Sequence, residues 1–163
     1  MKKVVYVLAL MLSASNVYAE EAQGPIKADQ IYIGAGLGFN SLPGAGSANG
    51  FQFLAGYEFQ TKLNDDITSA VELGYMDSGD FDNYSSSAKV SAAKGIWLAY
   101  VGSVPLSNKT DVLARLGFDF GDDDGVLLGT GIQYKFTTKV AMRMEYVARQ
   151  NVNSLQANVL FKF

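Results

Sequence analysis

The chain has 163 residues, 13 basic and 16 acidic side chains, a net charge of −3, and neither histidine nor cysteine. No basic stripe is present to neutralise phosphates, so the composition excludes nucleic acid as a partner. The missing residue types exclude a disulfide framework and any Ser–His or Cys–His catalytic pair.

The first 19 residues read as an export address. Lys2 and Lys3 give a positive start, Val4–Leu12 an apolar run, and Val17–Tyr18–Ala19 a small-residue cleavage site before Glu20. Nine apolar residues are too few to span a bilayer, which needs about 20. The expected division is a signal peptide over 1–19, cleaved after Ala19, and one domain over 20–163. Loss of Lys2 and Lys3 leaves eleven basic residues against sixteen acidic, a charge of −5 on 144 residues. No later stretch is long and apolar enough for a transmembrane helix.

A polar leader over 20–29 precedes a first strand at about 30–40. There Ile31, Ile33, Ala35, Leu37 and Phe39 share one face, opposite Tyr32, Gly34, Gly36, Gly38 and Asn40. Glycines on one face leave room for larger side chains from other strands. Residues 41–49, rich in Gly and Ser, read as a surface loop. The second strand, about 50–60, sets Phe51, Phe53, Ala55, Tyr57 and Phe59 against Gln52, Gly56 and Glu58. After a turn at Lys62–Asp66, the third, about 67–76, sets Ile67, Val71, Leu73 and Tyr75 against Thr68, Ala70, Glu72 and Gly74.

The longest loop is expected from Asp77 to about Lys94. The fourth strand, 95–104, has apolar residues in both phases, Ile96, Leu98 and Tyr100 against Trp97, Ala99 and Val101, so its register stays open. In the fifth, Val112, Ala114, Leu116, Phe118 and Phe120 oppose Arg115, Gly117 and Asp119. In the sixth, 126–136, Leu128, Ile132, Tyr134 and Phe136 oppose Gly131, Gln133 and Lys135. The last two form a hairpin over Lys139–Phe163, turning at Gln150–Asn153. Val140, Met142, Met144, Tyr146 and Ala148 oppose Arg143, Glu145 and Arg149; Leu155, Ala157, Val159, Phe161 and Phe163 oppose Gln156, Asn158 and Lys162.

An apolar face repeated on every strand, with charges of both signs opposite it, suits a closed barrel in lipid, apolar outside and polar inside. Ten residues at about 3.3 Å each, tilted by about 40°, rise roughly 25 Å, the height of an outer-membrane apolar band. The predicted fold is all-β: an eight-stranded antiparallel up-and-down transmembrane barrel. An even strand number puts both termini on one side, so the turns after strands two, four and six face the periplasm and the other loops face outward.

The segments IYIGAGLGF (31–39), AVELGY (70–75), ARLGF (114–118), GTGIQY (129–134) and AMRMEY (141–146) together resemble the membrane domain of OmpA and its small relatives such as OmpX. The match runs over nearly all of residues 20–163 and implies a monomeric barrel in the outer membrane of a Gram-negative bacterium, surrounded by lipid. The terminal Phe163, with Phe161 before it, resembles the signal by which the barrel-assembly machinery recognises its clients. The chain stops where the family's membrane domain stops, which leaves out the family's peptidoglycan-binding domain and its tethering role. The resemblance also implies a charged cluster inside the barrel, with Glu72 and Arg143 as its central ion pair. Val101 stands where the family places a lysine and Gln133 where it places a second glutamate, so a switchable gate lacks its alternative partner.

The phase of each strand puts Glu58, Glu72, Arg115, Lys135, Arg143 and Glu145 inside. An eight-stranded interior is just wide enough for side chains to fill, and buried charges there must pair. The expected outcome is a plugged barrel with a structural or adhesive role through its outer loops; the alternative is a narrow channel for ions or small solutes. Glu72 and Glu145 serve better as acceptors for Arg115 and Arg143 than as a catalytic carboxylate pair. Asp77, Asp80 and Asp82, and Asp122–Asp124, offer hard oxygens for Ca²⁺, but neither group has the spacing of an EF-hand and both suit solvated loops. No cofactor, metal or catalytic residue is expected. Loops 41–49 and 77–94, the latter with Phe81 and Tyr84, are the candidate contacts for a host or surface ligand.

Overall fold

The computed structural model describes residues 27–44, 46–59, 67–82, 89–91 and 94–163. The expected signal peptide and its cleavage site, the turn at Lys62–Asp66 and Tyr84 lie outside the described residues. The alternating segments form strands β1 (Ile31–Leu42), β2 (Gly46–Glu58), β3 (Thr68–Asp77), β4 (Asp80–Asp82), β5 (Lys89–Ser91), β6 (Lys94–Pro105), β7 (Thr110–Asp119), β8 (Gly125–Lys135), β9 (Val140–Ala148) and β10 (Asn153–Lys162). Eight of them close into a barrel in the order β1-β10-β9-β8-β7-β6-β3-β2. All neighbours are antiparallel, and Tyr32↔Lys162 through Ser41↔Asn153 is the seam that closes the ring. Closure gives every interior strand a partner on both sides, which is what lipid demands of a backbone that has no water to bond.

The outer wall is apolar. Leu37 is 72% exposed, Val159 58% and Phe39 57%, an arrangement suited to hydrocarbon rather than water. Aromatic residues two apart in sequence, at the edges of β2, β8 and β10, meet edge-on at the end where β1 begins and β10 stops: Tyr57 with Phe59, Tyr134 with Phe136, and Phe161 with Phe163, at centroid distances of 5.7, 5.1 and 5.6 Å. Such belts mark the interfaces of membrane barrels. A short 3₁₀ turn, Ala28–Gln30, lies at the same end. Gln30 donates to the Glu58 carbonyl and accepts from the Tyr57 hydroxyl, both at 3.0 Å.

The register of β6, open in the sequence, has Trp97, Ala99 and Val101 inward and Ile96 and Tyr100 outward. Trp97 is paired with Gly74 of β3, and a methyl group on Gly74 would collide with the indole. A large ring needs a bare backbone beside it, and in this register Gly74 supplies one.

Two loops differ from expectation. Residues 41–49 are mostly strand: Ser41 pairs with Ser47 and Leu42 with Gly46, with Gly44 in the left-handed region at φ +82°. Small side chains let the ladder run on to a tight turn, and little remains there to hold a ligand. Within 77–94, β4 and β5 pair antiparallel outside the barrel sheet. Phe81 is fully buried rather than presented to solvent.

Candidate functional site

The chemistry-bearing side chains converge inside the barrel. At mid-height, Tyr32 on β1, Glu72 on β3, Arg115 on β7, and Arg143 and Glu145 on β9 all point inward and are buried. Around the ring these four strands occupy alternate positions. On three of the strands between them the residues opposite are small: Gly56 and Ala99 pair with Glu72, Gly129 with Arg115 and Gly131 with Glu145, whereas β10 sets Asn158 and Gln156 beside Arg143 and Glu145. A Cβ on Gly56 would strike the Tyr32 ring, and one on Gly129 would lie 2.8 Å from Arg115 Cγ. Alternating large and small positions let long polar side chains cross a lumen that eight large ones would overfill.

The crossing side chains form one neutral network. Arg115 Nη2 lies 2.7 Å from Glu72 Oε2, and Arg115 Nε 2.9 Å from Glu145 Oε1. Arg143 Nη1 lies 2.6 Å from Glu72 Oε1, reaching it from a strand four places away in the ring of eight. Tyr32 donates its hydroxyl to Glu72 at 2.5 Å, and Arg143 Nε donates to Gln133 Oε1 at 3.0 Å. The guanidinium of Arg115 also sits over Trp97, 4.9 Å from the ring centroid, a cation–π contact. Two carboxylates and two guanidiniums thus cancel in a dry layer, where each needs the others.

Above this layer, toward the loops, the lumen stays filled. Gln52 donates to Gln156 at 2.8 Å and to Asn158 at 2.6 Å. Arg149 pairs with Asp119 at 2.9 Å and donates to Ser154, which donates to Asn40. Asn40 in turn donates to the Ser78 carbonyl at 2.8 Å, tying the start of the 77–94 connection to the barrel wall. Trp97, Leu127, Val147 and Val152 fill the rest with no exposed surface. Below the layer, a cavity of 190 Å³ opens toward the end with the short turns.

Glu58 falls outside the network the sequence grouped it with. It lies at the end of β2 and pairs with Lys162 at 3.0 Å, with a side chain 36% exposed. Strand phase assigns a face but not a height, and Glu58 is inward at the rim. Lys135 likewise sits low, 2.7 Å from Asp111. Tyr32, Asp111, Asp119 and Arg149 join the interior pairs, and their inward phase was the available signal. Among the described residues no cluster of three or more candidate metal ligands occurs. Asp77 is paired with Lys94 at 2.8 Å. The Asp123 carboxylate accepts from the backbone N–H groups of Asn151 and Val152, so it caps a turn. Every carboxylate of the central layer is held by arginine, which leaves none placed as a free acid or base.

The family of outer membrane protein β-barrel domains matches residues 5–163. No curated protein matches the sequence. A de novo designed transmembrane β-barrel is similar in fold at 14% identity and a TM-score of 0.54, over 84% of this chain and 98% of the design. Neisserial surface protein A is similar at 20% identity and 0.50, over 82% and 97%. Ail, the attachment invasion locus protein of Yersinia pestis, stands at 15% and 0.45, over 82% and 96%. Identities this low speak for the fold alone.

Proposed function

The chain belongs to the outer membrane protein β-barrel domain family, and on that premise we propose that it is a non-conducting outer-membrane scaffold whose role is structural or adhesive through its outer loops. The observation that carries this reading is the neutral Glu72–Arg115–Glu145–Arg143 layer, which spans the lumen between opposite strands. Residues 1–19 direct export and are removed after Ala19. Phe161 and Phe163 serve the assembly machinery that inserts the barrel, and no catalytic role is proposed.

The connection over 77–94 is the proposed contact surface, because the other outward connections are tight turns (42–46, 119–125 and 148–153). Bacteria displaying the wild type should bind an epithelial cell monolayer more than bacteria in which residues 79–93 are replaced by a two-residue turn. Retention of the heat-sensitive gel migration of a folded barrel would show the variant intact. Equal adhesion of the two would remove the loop from the account. The second reading, a narrow channel, draws on the cavity at the turn end; arabinose entry into liposomes carrying the wild type would favour it.

A further inference from the structure

We propose that the cavity at the turn end is a binding site for a small oxyanion, a carboxylate or a phosphate, open to the periplasm and closed above by the central ion layer. Its roof is Arg143. Two of that guanidinium's nitrogens are committed, Nε to Gln133 at 3.0 Å and Nη1 to Glu72 at 2.6 Å. The third, Nη2, donates to no protein atom among the described residues. It is absent from the polar atoms sealed off without a partner, and the side chain is only 5% exposed. A rigidly held guanidinium therefore offers one free N–H edge to the cavity it lines.

The surrounding groups are donors too. Gln133 accepts from Arg143 through Oε1, which turns its amide N–H₂ away from that bond and leaves it free to donate. Thr137 Oγ1 accepts from the backbone N–H groups of Lys139 and Val140 at 3.1 and 2.9 Å, so its own O–H remains available. The cavity's two acids are spent: Asp111 on Lys135 and Glu58 on Lys162, at 2.7 and 3.0 Å. Lys139 makes no ion pair among the described residues. One unbalanced cation and three free donors, with the carboxylates occupied, select an anion over a cation. At 190 Å³ the space admits a molecule of several heavy atoms, and the single free edge of Arg143 makes its contact monodentate.

The test is nuclear magnetic resonance on the ¹⁵N-labelled mature barrel in detergent micelles. Sodium phosphate and sodium succinate are titrated separately, against sodium chloride at matched ionic strength. Saturable shifts at Gln133, Lys139 and Arg143, including the Arg143 Nε–H, are expected with at least one of them, and whichever saturates identifies the ligand chemistry. Lys139→Gln should raise the apparent Kd about threefold to fivefold, as expected for one exposed charge, with the rest of the spectrum unchanged. Thr137→Val is the substitute if that variant does not refold. Shifts no larger than those from chloride, shifts confined to the loop end, or an unchanged Kd in the variant would overturn the site.

Discussion

Arg115 holds the two halves of the interior together, since it is the residue that binds both Glu72 and Glu145 in charge-assisted hydrogen bonds. All three side chains are fully buried, so removing the arginine leaves Glu145 with Arg143 alone at 3.9 Å, while Glu72 keeps Arg143 and Tyr32. Loss of one partner from such a network costs about 3–5 kcal/mol. The pair of Lys162 and Glu58 is one-third exposed on both sides, where screening limits an ion pair to about 1 kcal/mol or less. Urea unfolding of Arg115→Met and Lys162→Met in micelles should show that contrast. Equal losses in the two variants would mean that water reaches the central layer.

Much of this layer could be read from residue order. Glu72, Arg115, Arg143 and Glu145 fall in the inward phase, and a period of two leaves no other face for them. Tyr32 has the same phase but looks like one more aromatic until its hydroxyl is seen to meet Glu72. Glu58 shows the converse, because phase carries no height and its separation from the cluster arises from register across the ring.

At the scale of the strand, the pattern that matters is large beside small. Gly56 on β2 sits against the Tyr32 ring, whereas Gly102 on β6 has nothing within 4 Å of an added Cβ. Gly56→Val should push Tyr32 off Glu72 and cost about 1–3 kcal/mol by overpacking. Gly102→Val should fall within about 0.5 kcal/mol of the wild type. The urea midpoints of the two variants check this directly, and a silent Gly56→Val would remove the packing account of the glycines.

The inward glycines were visible as a series, and their use as space was readable from barrel geometry. Which side chain each one admits was not, because that depends on pairing between strands far apart in sequence. The same limit left β6 undecided, since Trp97 and Ile96 are both apolar and only Gly74 opposite separates them. Residues 41–49 misled in the other direction. Pro43, Gly44 and Gly46 carry turn chemistry, yet the ladder from Ser41 and Ser47 runs almost to the turn itself.

For the whole molecule, an apolar wall, a closed ring and a neutral interior follow from one alternation repeated eight times. The two ends then differ: filled and tied to the 77–94 connection at one, hollow and rich in lysine at the other. Membrane insertion was legible because polar side chains sit where a soluble sandwich would have its core. The asymmetry between the ends was not, because it depends on which interior side chains meet. We propose that the charge layer seals the lumen. Single-channel recording in a planar bilayer tests it, with the refolded mature chain beside Glu72→Ala and Arg143→Ala. The wild type should stay silent and the two variants should leak; steady conductance through the wild type would mean that the layer leaves a path open.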